Sequence, residues 1–378
     1  MTTQAAGNHQ GPLAGLKVVE FMGLGPAVHC AMLLADLGAE VLRFERPSGN
    51  PFENAILDRG RHIMQVDLQD DADRALCRRA VAKADVVIEG FRPGVMERLG
   101  LDPAQLLQEN PRLIVARLTG WGQQGPLAPR AGHDINYIAL AGALAHIRPV
   151  DGLPVPPQHL VGDYGGGSLY AAFGIMAALW ERERSGRGQV IDAAIVDGVA
   201  ASMSLFTGFV ARGTMSAEPR KNILGGAAPF YRCYRCADGR ELAVGAIEPH
   251  FYAELLRRIG APESFLAAQN DTDRWPEQSQ CLADLFAQKT RQEWCELFAG
   301  ADVCVAPVLG HDEAPLDEHL MARGTFVERD GLRQHAPAPR FSRTPGAIQA
   351  GGAGAELLRK WGVDSQAPAA RGAARAAT

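Results

Sequence analysis

The chain has 378 residues, 47% of them hydrophobic and 21% charged, and its formal net charge is −5. This length suits two domains of an ordinary globular protein, and the weak negative charge predicts neither nucleic acid nor a membrane as a partner. No apolar run is long enough to span a bilayer, and seven scattered cysteines predict reduced thiols in the cytoplasm.

The first 120 residues alternate between predicted strands and helices. Hydrophobic runs at 16–21, 40–44, 86–89 and 113–118 predict buried strands. A helix is predicted over 27–37, because Pro26 suits its first turn and Gly38 its end. Strands that alternate with helices predict an α/β fold with a mainly parallel, doubly wound sheet.

The alternation stops between residues 119 and 167, where loops rich in glycine and proline take over. A long helix of small residues is predicted over 168–184, followed by a strand over 189–193. From about residue 220, aromatic strands and glycine-rich turns predict a smaller α+β domain. In it, Thr290 and Glu293 have the spacing of a capping box that begins a helix.

These patterns predict a large domain that is interrupted by a small one. Residues 1–200 form the first part of the large domain, 220–328 the small domain, and 329–364 the return to the large domain. Residues 365–378 have no core-forming pattern and are predicted to be a disordered tail.

A histidine and a carboxylate stand beside glycines in the loop-rich middle of the chain. They are His133, after Gly132, and Asp163, in the run GDYGGG at 162–167. Glycine lets the backbone and a substrate approach closely. Such a pair can take a proton from one face of a carbon and return one to the other, although each residue could instead make only structural hydrogen bonds. A helix dipole would favour the charged form of Asp163 and burial would oppose it.

Arginines recur where the predicted strands end. In open α/β sheets, ligands bind outside the carboxyl ends of the strands, and arginine suits bidentate recognition of phosphate. The set therefore favours a polyphosphate ligand, while the alternative is a solvated rim of unrelated charges. Its members are Arg43, Arg46, Arg59, Arg61, Arg92 and Arg98.

Three further patterns leave alternatives open. Gly23 and Gly25 form only part of a dinucleotide fingerprint, which weakly indicates nicotinamide binding. Glu248 either caps the helix that follows it or faces the cleft and orients the histidine. The apolar segment 200–210 either lines a tolerant acyl pocket or is an ordinary core helix.

Cys233 and Cys236 form a lone C-x-x-C pattern. Since no second pair or nearby histidine is in register, two thiols in or near a strand are predicted rather than a zinc site.

As a set, five segments resemble the family III CoA-transferase (CaiB/BaiF) superfamily. Within it, the chain is most similar to members that racemise 2-methylacyl-CoA thioesters. The segments read GPLAGLKVVE at 11–20, ADLGAEV at 35–41, LTGWGQQGP at 118–126, AGHDINY at 131–137 and NILGGAAPFYRCY at 222–234. The resemblance covers about residues 11–345.

The resemblance implies a Rossmann-like large domain, a smaller α+β domain and a homodimer of interlocked subunits. His133 and Asp163 would be the two acid/base residues, and Glu248 of the partner subunit would support the histidine. The residues implied to hold the CoA moiety are Arg46, Val66, Asp67, Leu68, Gln69, Gly90, Phe91, Arg92, Arg98, Gly132, Asp134, Ile135, Asn136 and Tyr137.

Two positions depart from the pattern of the racemising members. Gln69 stands where they often carry lysine, which removes one expected phosphate contact. Residues 224–229 read LGGAAP instead of the usual LDGGAP, which affects the implied acyl pocket.

The predicted activity is therefore proton transfer at the α-carbon of a 2-methylacyl-CoA. This reaction needs no metal or redox cofactor, because CoA is part of the substrate. One alternative is transfer of CoA between carboxylic acids, with Asp163 as the nucleophile of an acyl-enzyme. That chemistry has no use for His133, which favours racemisation. A second alternative is a CoA-binding protein without catalytic activity.

Overall fold

The computed structural model describes residues 11–364, so the predicted tail lies outside the described residues. They form two compact units. The first comprises 11–141, 158–201 and 327–364, and the second comprises 142–157 and 202–326. In this part of the chain, no helix is both long and apolar enough to cross a membrane.

A seven-stranded sheet forms the centre of the first unit. Residues 11–364 contain the strands β1 Lys17–Phe21, β2 Glu40–Glu45, β3 Arg61–Gln65, β4 Val86–Glu89, β5 Ile114–Thr119, β6 Gln189–Ala194, β7 Tyr231–Arg235, β8 Glu241–Gly245, β9 Val305–Pro307, β10 Phe326–Arg329, β11 Leu332–His335 and β12 Gly352–Ala353. The large sheet has the order β12-β3-β2-β1-β4-β5-β6, and its strands are parallel. This confirms the predicted parallel sheet.

The α-helices of the described residues are α1 Pro26–Asp36, α2 Asp71–Val81, α3 Val95–Arg98, α4 Pro103–Glu109, α5 Asp134–Leu140, α6 Leu169–Ser185, α7 Ile195–Ser202, α8 Ser204–Ala211, α9 Pro249–Ile259, α10 Ser264–Ala267, α11 Trp275–Phe286, α12 Arg291–Phe298, α13 Glu318–Arg323 and α14 Gly354–Lys360. A π-helix, Leu160–Ser168, precedes α6 directly. It occupies a stretch for which a loop was predicted.

The second unit contains the antiparallel sheet β7-β8-β9. Its core includes Trp275, Tyr252 and Phe286. The predicted capping box is confirmed: the Thr290 N–H donates to Glu293 Oε2 at 2.8 Å, and the Glu293 N–H donates to Thr290 Oγ1 at 3.2 Å. The C-x-x-C thiols lie in and just after β7, with Cys233 exposed and Cys236 buried.

Helix α8 contradicts the interpretation of segment 200–210 as a core helix. Its sequence is SLFTGFVA, yet no residue of the helix is buried in the single chain. Leu205 is 55% exposed and Phe209 43%. An apolar helix that remains exposed indicates a surface that another molecule covers.

Three of the arginines at the strand ends are buried in ion pairs with carboxylates. Glu20 Oε2 accepts hydrogen bonds from Arg43 Nε at 3.0 Å and from Arg61 Nε at 3.1 Å, and all three side chains are fully buried. This cluster joins β1, β2 and β3. The expectation that Arg43 and Arg61 belong to a phosphate-binding rim is therefore wrong, because their charges are already neutralised in the interior.

Arg59 makes a second buried cluster, which attaches the returning segment to the sheet. Its Nε donates to Asp36 Oδ1 at 2.9 Å, and its Nη1 donates to Gln334 Oε1 at 2.7 Å. Its Nη1 also donates to the carbonyl of His335 at 3.1 Å. Arg59 therefore joins α1 to β11 and is likewise not available to a ligand.

We expect Glu20→Gln to destabilise the protein strongly. The change removes the carboxylate that two buried guanidinium groups share. Arg61 then keeps only backbone acceptors, while Arg43 keeps Asp58, and breaking a buried pair typically costs about 3–5 kcal/mol. Chemical denaturation would measure the free energy of unfolding. Glu183→Gln is the matched control, because Glu183 pairs with Arg112 at the surface. Equal stability of the two variants would contradict a structural role for the cluster.

Candidate active site

A cavity of about 460 Å³ lies in the first unit, where the strand order reverses between β1 and β4. Open α/β sheets bind ligands at this point. The loops after β1, β4 and β5 line the cavity, as does the segment 130–133. His133 and Asp163, which are 30 positions apart in the sequence, both line it. The structure therefore brings the two predicted acid/base residues to one cavity.

The π-helix that carries Asp163 depends on glycines that pack closely against other elements. A Cβ on Gly166 would lie 2.9 Å from the carbonyl oxygen of Ile195, and a Cβ on Gly167 would lie 3.2 Å from Pro26. Since there is no space for side chains here, the π-helix can lie directly against α7 and the start of α1. Helical segments of this kind occur often at functional sites.

The carboxyl group of Asp163 lies beside the beginning of α1. Gly25, the N-cap of α1, has φ +62°, and a Cβ there would lie 2.9 Å from Asp163 Oδ2. The glycine that resembled part of a dinucleotide fingerprint therefore leaves space for this carboxyl group. Any side chain at this position would displace it.

Burial raises the pKa of Asp163 to about 6, and the negative charge of Asp134 adds to this effect. The Asp163 N–H donates to Asp134 Oδ2 at 2.7 Å, which fixes the two residues close together. His159 and His133 act on the pKa of Asp163 in the opposite direction. Burial therefore outweighs the charges that lower the pKa of Asp163, a balance that the sequence alone could not decide.

His133 is the N-cap of α5 and is exposed at the mouth of the cavity. Its N–H donates to Asn136 Oδ1 at 3.0 Å, which fixes the backbone at the start of the helix. The Tyr137 hydroxyl donates to the carbonyl of Gly132 at 2.5 Å, and the Tyr137 ring contacts Trp121 edge-on. These contacts hold the segment before His133 against the cavity wall.

A second cavity of about 400 Å³ lies in the same unit, at the ends of β2 and β3. Phe91 lines both cavities. The other predicted CoA-binding residues that line the second cavity are Arg46, Val66, Asp67, Leu68 and Gln69. Those that line the first are Gly90, Arg92, Gly132 and Tyr137. The two cavities are therefore adjacent, with Phe91 common to both.

Four of the residues implied to bind CoA line neither cavity: Arg98, Asp134, Ile135 and Asn136. Asp134 and Asn136 instead make the hydrogen bonds described above. Arg98 folds over Gly94, where a Cβ would lie 3.2 Å from its Nη1. The CoA contacts of these four residues stay a prediction.

Glu248 lies in the second unit, at the N-cap of α9. Glu248 thus occupies the predicted capping position, but its side chain accepts no capping hydrogen bond. The carboxylate is exposed in the single chain. Its predicted support of the histidine from the partner subunit stays a prediction.

Sequence reasoning did not identify His159. It precedes Asp163 by four residues, and its ring contacts Tyr164 edge-on at 4.4 Å. Its charge lowers the pKa of Asp163. The four-residue spacing could have indicated a common helix face, but no helix was predicted over this segment.

Comparisons with known proteins show the family of the chain. The family model described as CoA-transferase family III matches residues 13–352. The α-methylacyl-CoA racemase of Mus musculus is 45% identical over 361 residues, which cover 94% of each chain. Its counterpart in Homo sapiens is 45% identical over 337 residues, covering 88% of this chain and 87% of that protein.

More distant similarity extends to a transferase and to a solved structure. The succinyl-CoA–D-citramalate CoA-transferase of Chloroflexus aurantiacus is 30% identical over 365 residues, which cover 89% of each chain. The crystal structure of a CaiB/BaiF family protein from Brucella suis superposes with a TM-score of 0.78. It is 26% identical and covers 93% of this chain and 100% of its own. From the family match, the identities and this shared fold we conclude that the chain belongs to CoA-transferase family III.

Proposed function

We propose that the protein racemises the α-carbon of 2-methylacyl-CoA thioesters by proton transfer between two bases. The observation that carries the proposal is the meeting of His133 and Asp163 at one cavity. The pKa of Asp163, about 6, suits a group that must both accept and donate a proton near neutral pH. The racemases of mouse and human, each 45% identical, support the choice of substrate class.

In the proposed reaction, one residue removes the α-proton and the other returns a proton to the opposite face. His133 is the base for one configuration, and Asp163 is the base for the other. The thioester acidifies the α-carbon, and backbone N–H groups of the loops that line the cavity stabilise the enolate. In the active protein, His133 and Asp163 together carry one proton that can be transferred. The total charge of the pair is therefore the same for both directions of racemisation.

The second cavity is proposed to hold the nucleotide end of CoA. Arg46, exposed just after β2, supplies a positive charge for a phosphate group there. Gln69 lies in the same cavity and can donate a hydrogen bond, although it lacks the charge of a lysine. Phe91, which lines both cavities, would contact the arm of CoA that joins the two ends.

CoA transfer is the second candidate, because a transferase is among the relatives that are 30% identical. In that reaction the Asp163 carboxylate attacks the thioester carbonyl of an acyl-CoA, which forms an acyl anhydride and releases the CoA thiolate. The thiolate then attacks the Asp163 carbonyl, which gives an enzyme–CoA thioester and the free carboxylate of the first acid. The transferase reaction requires an acceptor acid, whereas racemisation does not.

We expect both His133→Ala and Asp163→Asn to lower the inversion of a 2-methylacyl-CoA by about 10²–10⁴-fold. Each variant keeps one base, which can still remove the α-proton from one configuration. In D₂O each variant should therefore exchange the α-hydrogen of one epimer without inverting it, and the two variants should prefer opposite epimers. Mass spectrometry and chiral separation measure the two events.

His311→Ala is the control for a general effect of losing a histidine, since His311 is exposed in the second unit. Inversion by His133→Ala at the parental rate would disprove the two-base reaction. If the parent protein acts only when an acceptor carboxylate is added, the transferase proposal replaces it. Tight binding of CoA without either reaction would indicate a binding protein.

We expect a bell-shaped pH dependence of kcat/KM with one limb near pH 6, reflecting the pKa of Asp163. Asp134→Asn should move this limb to lower pH, because it removes a negative charge that raises that pKa and keeps an acceptor for the Asp163 N–H. The limb should move equally for both epimers, since the equilibrium constant between them does not depend on pH. An unchanged profile would contradict the role assigned to Asp163.

We further propose that the protein forms a homodimer, interlocked as the family resemblance implies. Exposed apolar side chains support this proposal: Phe173 and Trp180 on α6 are 72% and 70% exposed, and no residue of α8 is buried. Covering such surfaces removes apolar area from water. The cytoplasmic location stays a prediction.

If Glu248 acts from the partner subunit, mixed dimers of His133→Ala and Glu248→Ala chains should regain activity. One site of each mixed dimer then contains both changes and the other contains neither. Differently tagged chains, expressed together and purified on both tags, would be assayed beside each parent variant. Mixed dimers no more active than the parents would exclude this sharing, and a monomer in light scattering would exclude the dimer itself.

A further inference from the structure

The segment after β4 forms the wall between the two cavities. Phe91 lines both of them, and Arg92 and Pro93 line the larger. The segment then passes into α3, a single helical turn over 95–98. Its position therefore fixes the distance between the proposed nucleotide site and the proton-transfer pair.

A fully buried carboxylate holds the backbone of this wall. Glu89, the last residue of β4, has 0% exposure. Its Oε2 accepts the N–H of Phe91 at 2.7 Å, and its Oε1 accepts Nε of Arg117 at 2.7 Å. The two oxygens of the carboxylate therefore act on different elements. Oε2 fixes the wall, and Oε1 fixes Glu89 to the neighbouring strand.

Arg117 also reaches the helical turn beyond the wall. Its Nη1 and Nη2 donate to the two oxygens of Glu97 at 2.7 and 3.3 Å. A planar guanidinium can bridge two carboxylates in this way, whereas an ammonium group cannot reproduce the geometry. Arg117 therefore joins β5 to both ends of the segment 89–97.

Packing alone already anchors α3. Met96 and the nearby Leu101 are fully buried in the hydrophobic core of the first unit. Glu89, Arg117 and Glu97 fix the orientation of the segment instead. Their hydrogen bonds hold the Phe91 N–H and the face of α3 that carries Glu97. Arg92 and Arg98 make no ion pair among residues 11–364, and Arg92 lines the larger cavity, where its charge is available to a ligand.

We propose that Glu89 and Arg117 are positioning residues that set the separation between the second cavity, proposed to hold the nucleotide end of CoA, and the pair formed by His133 and Asp163. This inference rests on the proposed function for its effect on the reaction. Its structural part does not, because the three residues Glu89, Arg117 and Glu97, here called the clamp, hold the wall whether or not a substrate is bound. Glu97 is the third member of the clamp and fixes its far end.

The test compares Arg117→Met, Arg117→Lys and Glu89→Gln with the parent protein. We expect the Kd for CoA, measured by calorimetry, to rise by about tenfold or more in Arg117→Met. Arg117→Lys should resemble Arg117→Met, since a retained charge without the fork cannot bridge Glu89 and Glu97. Hydrogen–deuterium exchange should become faster over segment 90–98 in all three variants without CoA.

Arg112→Met is the matched control, because Arg112 pairs with Glu183 at the surface and lies before β5. Parental values of both Kd and exchange in Arg117→Lys and Glu89→Gln would overturn the inference, even if Arg117→Met proved unstable. A parent protein that binds no CoA would refute the proposed function instead. Faster exchange confined to segment 90–98 would then still support the clamp.

Discussion

The partial burial of one carboxyl group is the constraint on which the proposed chemistry depends. Asp163 lies beside Asp134, within a helix that packs through bare glycines against its neighbours. Burial and the second negative charge bring its pKa close to neutrality. A surface aspartate, with its ordinary low pKa, would hold its proton too weakly to return it to a carbon atom. An aspartate buried among apolar groups would have a pKa too high for it to act as a base.

The same residue type serves two opposite purposes in the first unit, and burial decides between them. Arg43, Arg59 and Arg61 are enclosed with carboxylates and join the strands or attach the returning segment. Arg46 and Arg92 remain exposed at the cavities. Both groups are predicted at strand ends, so the sequence could not separate them, although Arg43 lies within β2 and Arg61 begins β3. Whether an arginine is buried in an ion pair or exposed at a cavity depends on which carboxylates the neighbouring strands place beside it.

Regular hydrophobic patterns made most of the first unit predictable. The strands β1, β2, β4, β5 and β6 and the helix α1 begin and end within about two residues of their predicted bounds. Strand β3 was not predicted, because RHIMQ is mostly polar and only Arg61 is buried. The π-helix was also missed, since its glycines lack the hydrophobic periodicity on which helix prediction depends. The direction of the pKa shift at Asp163 required knowledge of how far the folded chain buries this carboxyl group, and of Asp134, a neighbour 29 positions away whose charge adds to the shift.

The exposure of His133 has a consequence for how the protein returns to its starting state. Under the proposed reaction, each turnover leaves the shared proton on the residue opposite to the one that held it before. An enzyme molecule that has just released one epimer is therefore in the protonation state that can react only with that same epimer. In the single chain, solvent water reaches the imidazole directly and can restore the other form between turnovers. A buried imidazole would make this recovery slow. At high substrate concentration, the turnover rate would then be limited by the return of the proton in the free enzyme.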